Sequence, residues 1–533
     1  MHDLLLRGGN VHDGTGAPPV TADVAIAADR VVAVGRDLGP ARRIVDVDGL
    51  VVAPGFVDAH THSDLVPLAG GEQATKLRQG VTTEIVGNCG VSFAPLDEAA
   101  AGHLAGIYGD LTCGVPVGPR TFAGYLDEVE AARPTTNVMA LVGHAALRTT
   151  ANGMDEELAP GALDQMCALL AEALDAGAAG LSSGLVYPPG SHAAPDEMAA
   201  LAAVAQRYGR IYATHLRDEG DRLPRALDEA IAVAEATGVR LQVSHCKVTG
   251  RRNHGGAPDL LARLHAAHEA GIDLAGDAYP YTSGATVLVA LLPPAATAGG
   301  TDRLVELLAD PCARERLRAA ADAGQGLWTA ADPAGVRLMQ HADPGVCGRT
   351  LAEVGGDPWT TLCGLVAADP GATVLLEAMA LPDVLAILAD PLIGIGSDST
   401  PSAGPGHPRN RGCFPELLAT VVRTHGALDL PTAIRKATSV TADRFGLTGR
   451  GRLEPGTVAD VCVFDPERVA HPDPLGEPTG ILHVLVAGVP AVEDGQVTGA
   501  RAGRVLRAQG RPTDHSPRSR RPDAPARFVA GPE

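Results

Sequence analysis

One pattern recurs eight times along the middle of the chain. A short apolar run ends in a polar cluster, and a helix-like stretch rich in Ala, Leu and Glu follows. The runs are VVAPGFVDAHTH (51–62), TTEIVGNCG (82–90), TNVMALVGHA (136–145), GAAGLSSGL (177–185), RIYATHLRDE (210–219), RLQVSHCK (240–247), GIDLAGDAYPY (271–281) and PLIGIGSDST (391–400). Between them, stretches such as 159–177, 223–238 and 257–271 space apolar residues at three and four and close on Gly. Continuous apolar strands alternating with helices build a parallel sheet covered on both faces. Eight such units predict an α/β fold, a (β/α)8 TIM-type barrel. The rhythm breaks over about 284–390, which reads as an insert above the barrel mouth.

The two ends differ from the middle. LLLRGGNVHDGTG, DVAIAADRVVAVG and RIVDVDG near the start, and GRLEPGTVADVCVFD and ILHVLVAGVPAVEDGQV near the end, read as short strands with Gly and Asp turns. Residues 1–53 and 449–503 are therefore expected to pair into one small β-sandwich, with the barrel at 54–448. Residues 504–533 are rich in Arg, Pro and Asp with little to bury, and read as a disordered tail.

Composition narrows the function. With 43 Lys and Arg against 63 Asp and Glu, the net charge is −20, which weighs against nucleic-acid binding. No stretch approaches the roughly 20 apolar residues of a membrane span. The opening MHDLLLRGGNVHDG lacks a basic n-region and a long apolar core, so no secretory leader is expected. Nine Cys in 533 residues, without CxxC spacing, suit a reducing compartment. The expectation is a cytoplasmic enzyme of a small molecule, with no membrane partner.

The polar clusters fall where a barrel places its catalytic loops, at the C-terminal ends of the strands. His60 and His62 stand two apart, so both imidazoles can face the barrel axis and meet a metal. Cys89 sits between glycines in GNCG, where a thiolate could approach the same ion. His215 and His245 end the fifth and sixth runs. Asp398 closes the eighth, suited to take a proton from an attacking water and return it to a leaving group. Lys247, Arg409, Arg411, Tyr279 and Tyr281 could hold a substrate carboxylate. Taken singly, each has a plain alternative: an interior histidine, a buried structural cysteine, a loop-capping aspartate, a surface salt bridge.

Taken together, these stretches resemble the amidohydrolase superfamily, and within it the D-aminoacylases, the N-acyl-D-amino-acid deacylases. The resemblance is carried by PGFVDAHTHSD (54–64), QGVTTEIVGNCGVSFAPL (79–96), THLRDEGDRL (214–223), QVSHCK (242–247), DAYPYTSG (277–284), GIGSDS (394–399), HPRNRGCFP (407–415) and GRLEPGTVADVCVFDP (451–466). It implies a tightly held zinc on Cys89, His215 and His245, and a second, weaker position at His60, His62 and Asp398. It makes Asp398 the general base and then acid, and Lys247, Tyr279 and Arg409 the substrate-carboxylate binders. The fourth run, GAAGLSSGL, lacks the lysine that other amidohydrolases carboxylate, which argues against a hydantoinase. Departures are Cys246 for a usual His, Ala285 for a substrate-binding Ser and Ser399 for a usual Gly. The implied reaction is hydrolysis of the linear amide of an N-acyl-D-amino acid. The alternatives are cyclic-amide or dipeptide hydrolysis on the same centre, or a barrel that kept the fold and lost catalysis.

Overall fold

The computed structural model describes residues 1–70, 74–401 and 406–509. Eight parallel strands form its centre: β1 (Phe56–Asp58), β2 (Val81–Val86), β3 (Asn137–Ala140, resumed at Val142–Gly143), β4 (Gly180–Gly184), β5 (Ile211–His215), β6 (Arg240–Val243), β7 (Leu274–Ala278) and β8 (Ile393–Ile395). Each pairs in parallel with the next. The ring closes where Ala59 N donates to Ile395 O at 3.1 Å and Thr61 bridges Ser399 in parallel. Residues of β2, β3, β4 and β5 are buried without interruption, as expected of strands covered on both faces.

The outer helices present one apolar stripe to the barrel. In Leu223–Thr237 the buried positions are Leu223, Ala226, Leu227, Ala230, Val233 and Ala234, and left-handed Gly238 ends the helix. The expected helices at 159–177 and 257–271 are Ala162–Asp175 and Ala257–Glu269.

The first apolar run is not one strand. Val51–Pro54 belongs to a flanking sheet and Phe56–Asp58 to the barrel. The chain breaks at Gly55, where a Cβ would lie 2.3 Å from Thr82 side-chain atoms. The flanking sheet has nine strands, five from the start of the chain and four from 461–497. It forks at His2–Val11, which pairs in parallel with both Ala41–Asp46 and Val51–Pro54. Leu4, Leu6 and Val24 then share a core with Val461, Val463 and Leu485.

Between β7 and β8 the chain leaves the barrel. Ser283–Val287, Val336–Gln340 and Thr373–Glu377 form a three-stranded antiparallel sheet. Leu381–Ala389 rejoins the outer ring beside Ala257–Glu269, with the Asp383 carboxylate accepting from Gly255 N at 2.7 Å.

Residues 504–509, which the sequence reading assigns to a tail, are part of the fold. Val505 bridges Val138 in β3, and Leu506 and Ala508 pack against an apolar cluster that includes Val57, Met139 and Ile211 of the barrel strands. The remainder of that expected tail, 510–533, lies outside the described residues.

Candidate metal centre

The six side chains expected at a metal meet at the C-terminal ends of the strands. Ligand atoms of His60, His62, Cys89 and Asp398 all lie within 4.8 Å of one another, and so do those of Cys89, His215 and His245. Cys89 is common to both groups, and all six residues are buried. Its Sγ stands 3.2 Å from His60 Nε2 and 3.3 Å from His245 Nε2. Asp398 Oδ1 stands 3.3 Å from His62 Nε2 and 3.5 Å from His60 Nε2. Burial opposes a Cys89 thiolate, but His60 and His245 outweigh it and hold the thiol well below its usual range. A buried thiolate with imidazoles and a carboxylate is a donor set that suits zinc.

The backbone is bent to deliver these groups. Cys89, His245 and Asp398 have φ of 52°, 34° and 50°. That is left-handed territory that costs a non-glycine residue about 1–3 kcal/mol and persists only where the surroundings enforce it. For Asp398 the enforcement is a bond from its own N to His60 O at 2.7 Å. For Cys89 it is Ser182 on β4, which donates to Gly87 O at 2.5 Å and accepts from Gly90 N at 3.1 Å. Only glycine fits at the two ends of the Cys89 turn: a Cβ on Gly87 would lie 2.2 Å from Leu141 O, and one on Gly90 2.7 Å from Gly184 N.

Two carboxylates that the sequence reading did not single out orient the imidazoles. Asp277 Oδ1 stands 3.3 Å from His60 Nδ1 and accepts from His245 N at 2.8 Å. Glu219 reaches His245 Nδ1 at 3.0 Å, His215 Nε2 at 3.5 Å and Lys247 Nζ at 2.9 Å. Burial disfavours the Glu219 carboxylate, but Lys247, His215 and His245 prevail and hold it far below its usual range. Such partners fix ring orientation at metal sites. Glu219 had a signal in the sequence, a carboxylate four residues past His215.

The expected carboxylate binders divide into two kinds. Arg409 is not in a loop but opens the helix Arg409–Glu416 and is wholly buried. Its Nη1 lies 2.7 Å from Asp398 Oδ2, yet among the described residues no aligned hydrogen bond reaches Nε, Nη1 or Nη2. The Tyr279 hydroxyl is likewise buried without a hydrogen-bond partner there, and its ring faces the Arg409 guanidinium at 4.8 Å. Lys247, by contrast, is held by Glu219 and by His245 Nδ1 at 2.6 Å. The Tyr281 hydroxyl is also buried and unpartnered among the described residues, its ring edge-on to His407. Arg411 points elsewhere and pairs with Glu477 at 2.7 Å.

A closed barrel with a buried thiolate–imidazole–carboxylate cluster at the carboxyl ends of its strands is a metal-binding barrel. The amidohydrolase family model matches residues 43–343 and 363–492, and the chain belongs to that family. It is 37% identical over 516 residues to a D-aminoacylase of Alcaligenes xylosoxydans xylosoxydans, covering 95% of this chain and 97% of the relative. It is also 37% identical over 524 residues to an N-acyl-D-glutamate deacylase of the same organism, covering 95% and 96%. The solved N-acyl-D-glutamate deacylase of Bordetella bronchiseptica, complexed with zinc and a phosphonate mimic of the tetrahedral intermediate, matches at TM-score 0.80 and 33% identity. That match covers 95% of this chain and 100% of that one.

Proposed function

We propose that this chain is a zinc-dependent hydrolase of N-acyl-D-amino acids, releasing a carboxylate and a D-amino acid. The observation that carries the reading is the pair of ligand groups sharing Cys89, set beside a buried guanidinium free of hydrogen bonds among the described residues. Cys89, His215 and His245 would hold the tight zinc, and His60, His62 and Asp398 the weaker position. Bound zinc supplies a Lewis acid that makes a water nucleophilic near neutral pH and polarises the acyl carbonyl.

Asp398 is the proton carrier in this reading. Burial raises its pKa, but Arg409 and His245 lower it further, so the carboxylate is ionised and ready to accept the proton of the attacking water. It then delivers that proton to the departing nitrogen. The Arg409 guanidinium, paired with Asp398 yet without an aligned hydrogen bond among the described residues, and the Tyr279 hydroxyl receive the substrate's α-carboxylate. Lys247 adds positive potential beside them, and fixing that carboxylate relative to Asp398 sets the handedness of the substrate accepted.

Among the described residues no helix is long and apolar enough to cross a membrane. All nine cysteines are free, which supports the cytoplasm as the place of action.

The test is amine release from N-acetyl amino acids of both hands by the zinc-loaded protein and by Asp398→Ala. D-selective release that the substitution abolishes is the expected result. Zinc retention with turnover of neither hand would overturn the reading.

A further inference from the structure

We propose that the site selects N-acyl-D-amino acids with apolar side chains and rejects derivatives of D-aspartate and D-glutamate. This rests on the deacylase reading. Sequence identity does not decide the point, since the D-aminoacylase and the D-glutamate enzyme stand equally close, at 37%.

Two compartments meet at Tyr187, Ala285, Thr286 and Asp398. One runs from Lys247 and Tyr279 to a wall of Leu327, Ala331, Leu376 and Met379. The other runs from His62 and Cys89 along Ile107, Leu111 and Met339 to Asp110. The deacylase reading puts the α-carboxylate at Tyr279, which lines the first compartment and carries Arg409 against its ring. On that placement the side chain on the neighbouring carbon enters the first compartment and the acyl group the second. The first wall comes largely from the excursion between β7 and β8: Leu376 lies on Thr373–Glu377, and Ala285 and Thr286 lie on the paired strand Ser283–Val287.

A side-chain carboxylate would need a cation of its own. Among the described residues Lys247 is the only Lys or Arg lining either compartment, and its ammonium lies 2.9 Å from Glu219. Arg409 faces Asp398 and serves the α-carboxylate in this reading. Arg217 and Arg411, which stand two residues past His215 and Arg409, are engaged elsewhere. Arg217 pairs with Glu229 at 2.8 Å and donates to Ser191 O and Ala193 O, while Arg411 pairs with Glu477. In the reverse binding mode a side-chain carboxylate would face Asp110. A charge taken from water into either place without a partner is strongly disfavoured, whereas an apolar side chain gains by burial there.

The test compares kcat/KM of the zinc-loaded full chain on N-acetyl-D-leucine, -D-methionine, -D-glutamate and -D-aspartate. The apolar pair is expected to lead by at least about 100-fold. Leu376→Arg, which installs a cation in the wall, is expected to shrink that ratio about 10-fold or more. Turnover of N-acetyl-D-glutamate or -D-aspartate equal to that of N-acetyl-D-leucine would overturn the proposal. Calorimetric binding of the free products reads the pocket without turnover. D-leucine binding in preference to D-glutamate supports the pocket assignment even if no N-acyl substrate is cleaved, an outcome that sinks the deacylase reading alone. Equal or reversed product binding overturns the selectivity.

Discussion

Arg409 Nη1 stands 2.7 Å from Asp398 Oδ2, with both side chains buried at the carboxyl end of the barrel. In the proposed reaction the guanidinium would serve two anions, the base Asp398 and the carboxylate of the substrate. Arg409 is also the foremost of the influences that offset burial and keep Asp398 ionised.

Replacing Arg409 with Met removes the charge and keeps the bulk. The kcat/KM on the preferred N-acetyl-D-amino acid is expected to fall roughly 10- to 100-fold through loss of bonds to the substrate anion. The pH profile carries the second signature. In the proposed reaction activity needs ionised Asp398 and is expected to be lost as pH falls through its pKa. Without Arg409 that pKa rises, so the acid limb moves to higher pH. Arg409→Lys, which keeps a charge, should move the limb less. An unmoved limb in Arg409→Met would show that the guanidinium does not tune the base.

Glu219 ties Lys247, His245 and His215 together. In Glu219→Gln zinc affinity is expected to fall about 10- to 100-fold, since the imidazoles lose the carboxylate that orients them. Stability should fall by about 2–3 kcal/mol near neutral pH, because Lys247 keeps its charge and loses its partner. The native pKa of Glu219 lies below its ordinary value of 4.5. Its contribution is therefore complete above about pH 4.5 and is lost as pH falls through the native pKa. Urea unfolding of both proteins should show a gap that is widest at neutral pH and narrows in acid.

How much of this was legible in the chain depends on the range of the interaction. His60 and His62 could be aimed from strand periodicity alone, because residues two apart share a face, and both reach Asp398. The glycines around Cys89 advertised a close approach. Asp277 and Ser182 could not be read the same way. Their roles exist only because β7 lies beside β6 and β4 beside the loop after β2, and no local pattern encodes that adjacency. Lys247 illustrates the converse. Its position near the site was readable, but its engagement by Glu219 depends on where the β5 and β6 loops meet.

The docking of 504–509 is a further case, since its composition argued for a tail. Val138 N donates to Arg504 O at 2.9 Å, Leu506 N to Val138 O at 2.7 Å and Ala508 N to Gly177 O at 2.9 Å. Leu506 and Ala508 pack against the apolar cluster that includes Met139, Leu141 and Ala213. Truncation after residue 503 is expected to cost about 1–2 kcal/mol and to lower the midpoint of thermal unfolding. Truncation after residue 509 keeps these bonds and serves as the control. Equal midpoints for the two truncated chains would refute the docking.

Ser182 gives the sharpest separation of positioning from folding. Its hydroxyl donates to Gly87 O and accepts from Gly90 N, so one oxygen clamps both ends of the Cys89 turn. Cys89 depends on that clamp because its own φ of 52° is unfavourable for a residue with a Cβ. Ser182→Ala removes the oxygen, leaves β4 intact and creates little space. Loss of two buried hydrogen bonds should cost about 1–3 kcal/mol of stability, too little to unfold a chain of this size. The larger effect should fall on the metal. With the turn free to relax, the thiolate is no longer held 3.2–3.3 Å from His60 and His245, and zinc dissociation measured by chelator competition should accelerate about 10-fold or more. Excess zinc should then restore activity to Ser182→Ala but not to Cys89→Ala, which lacks the ligand itself. Zinc retention equal to the parent protein in Ser182→Ala would assign the clamp to folding alone.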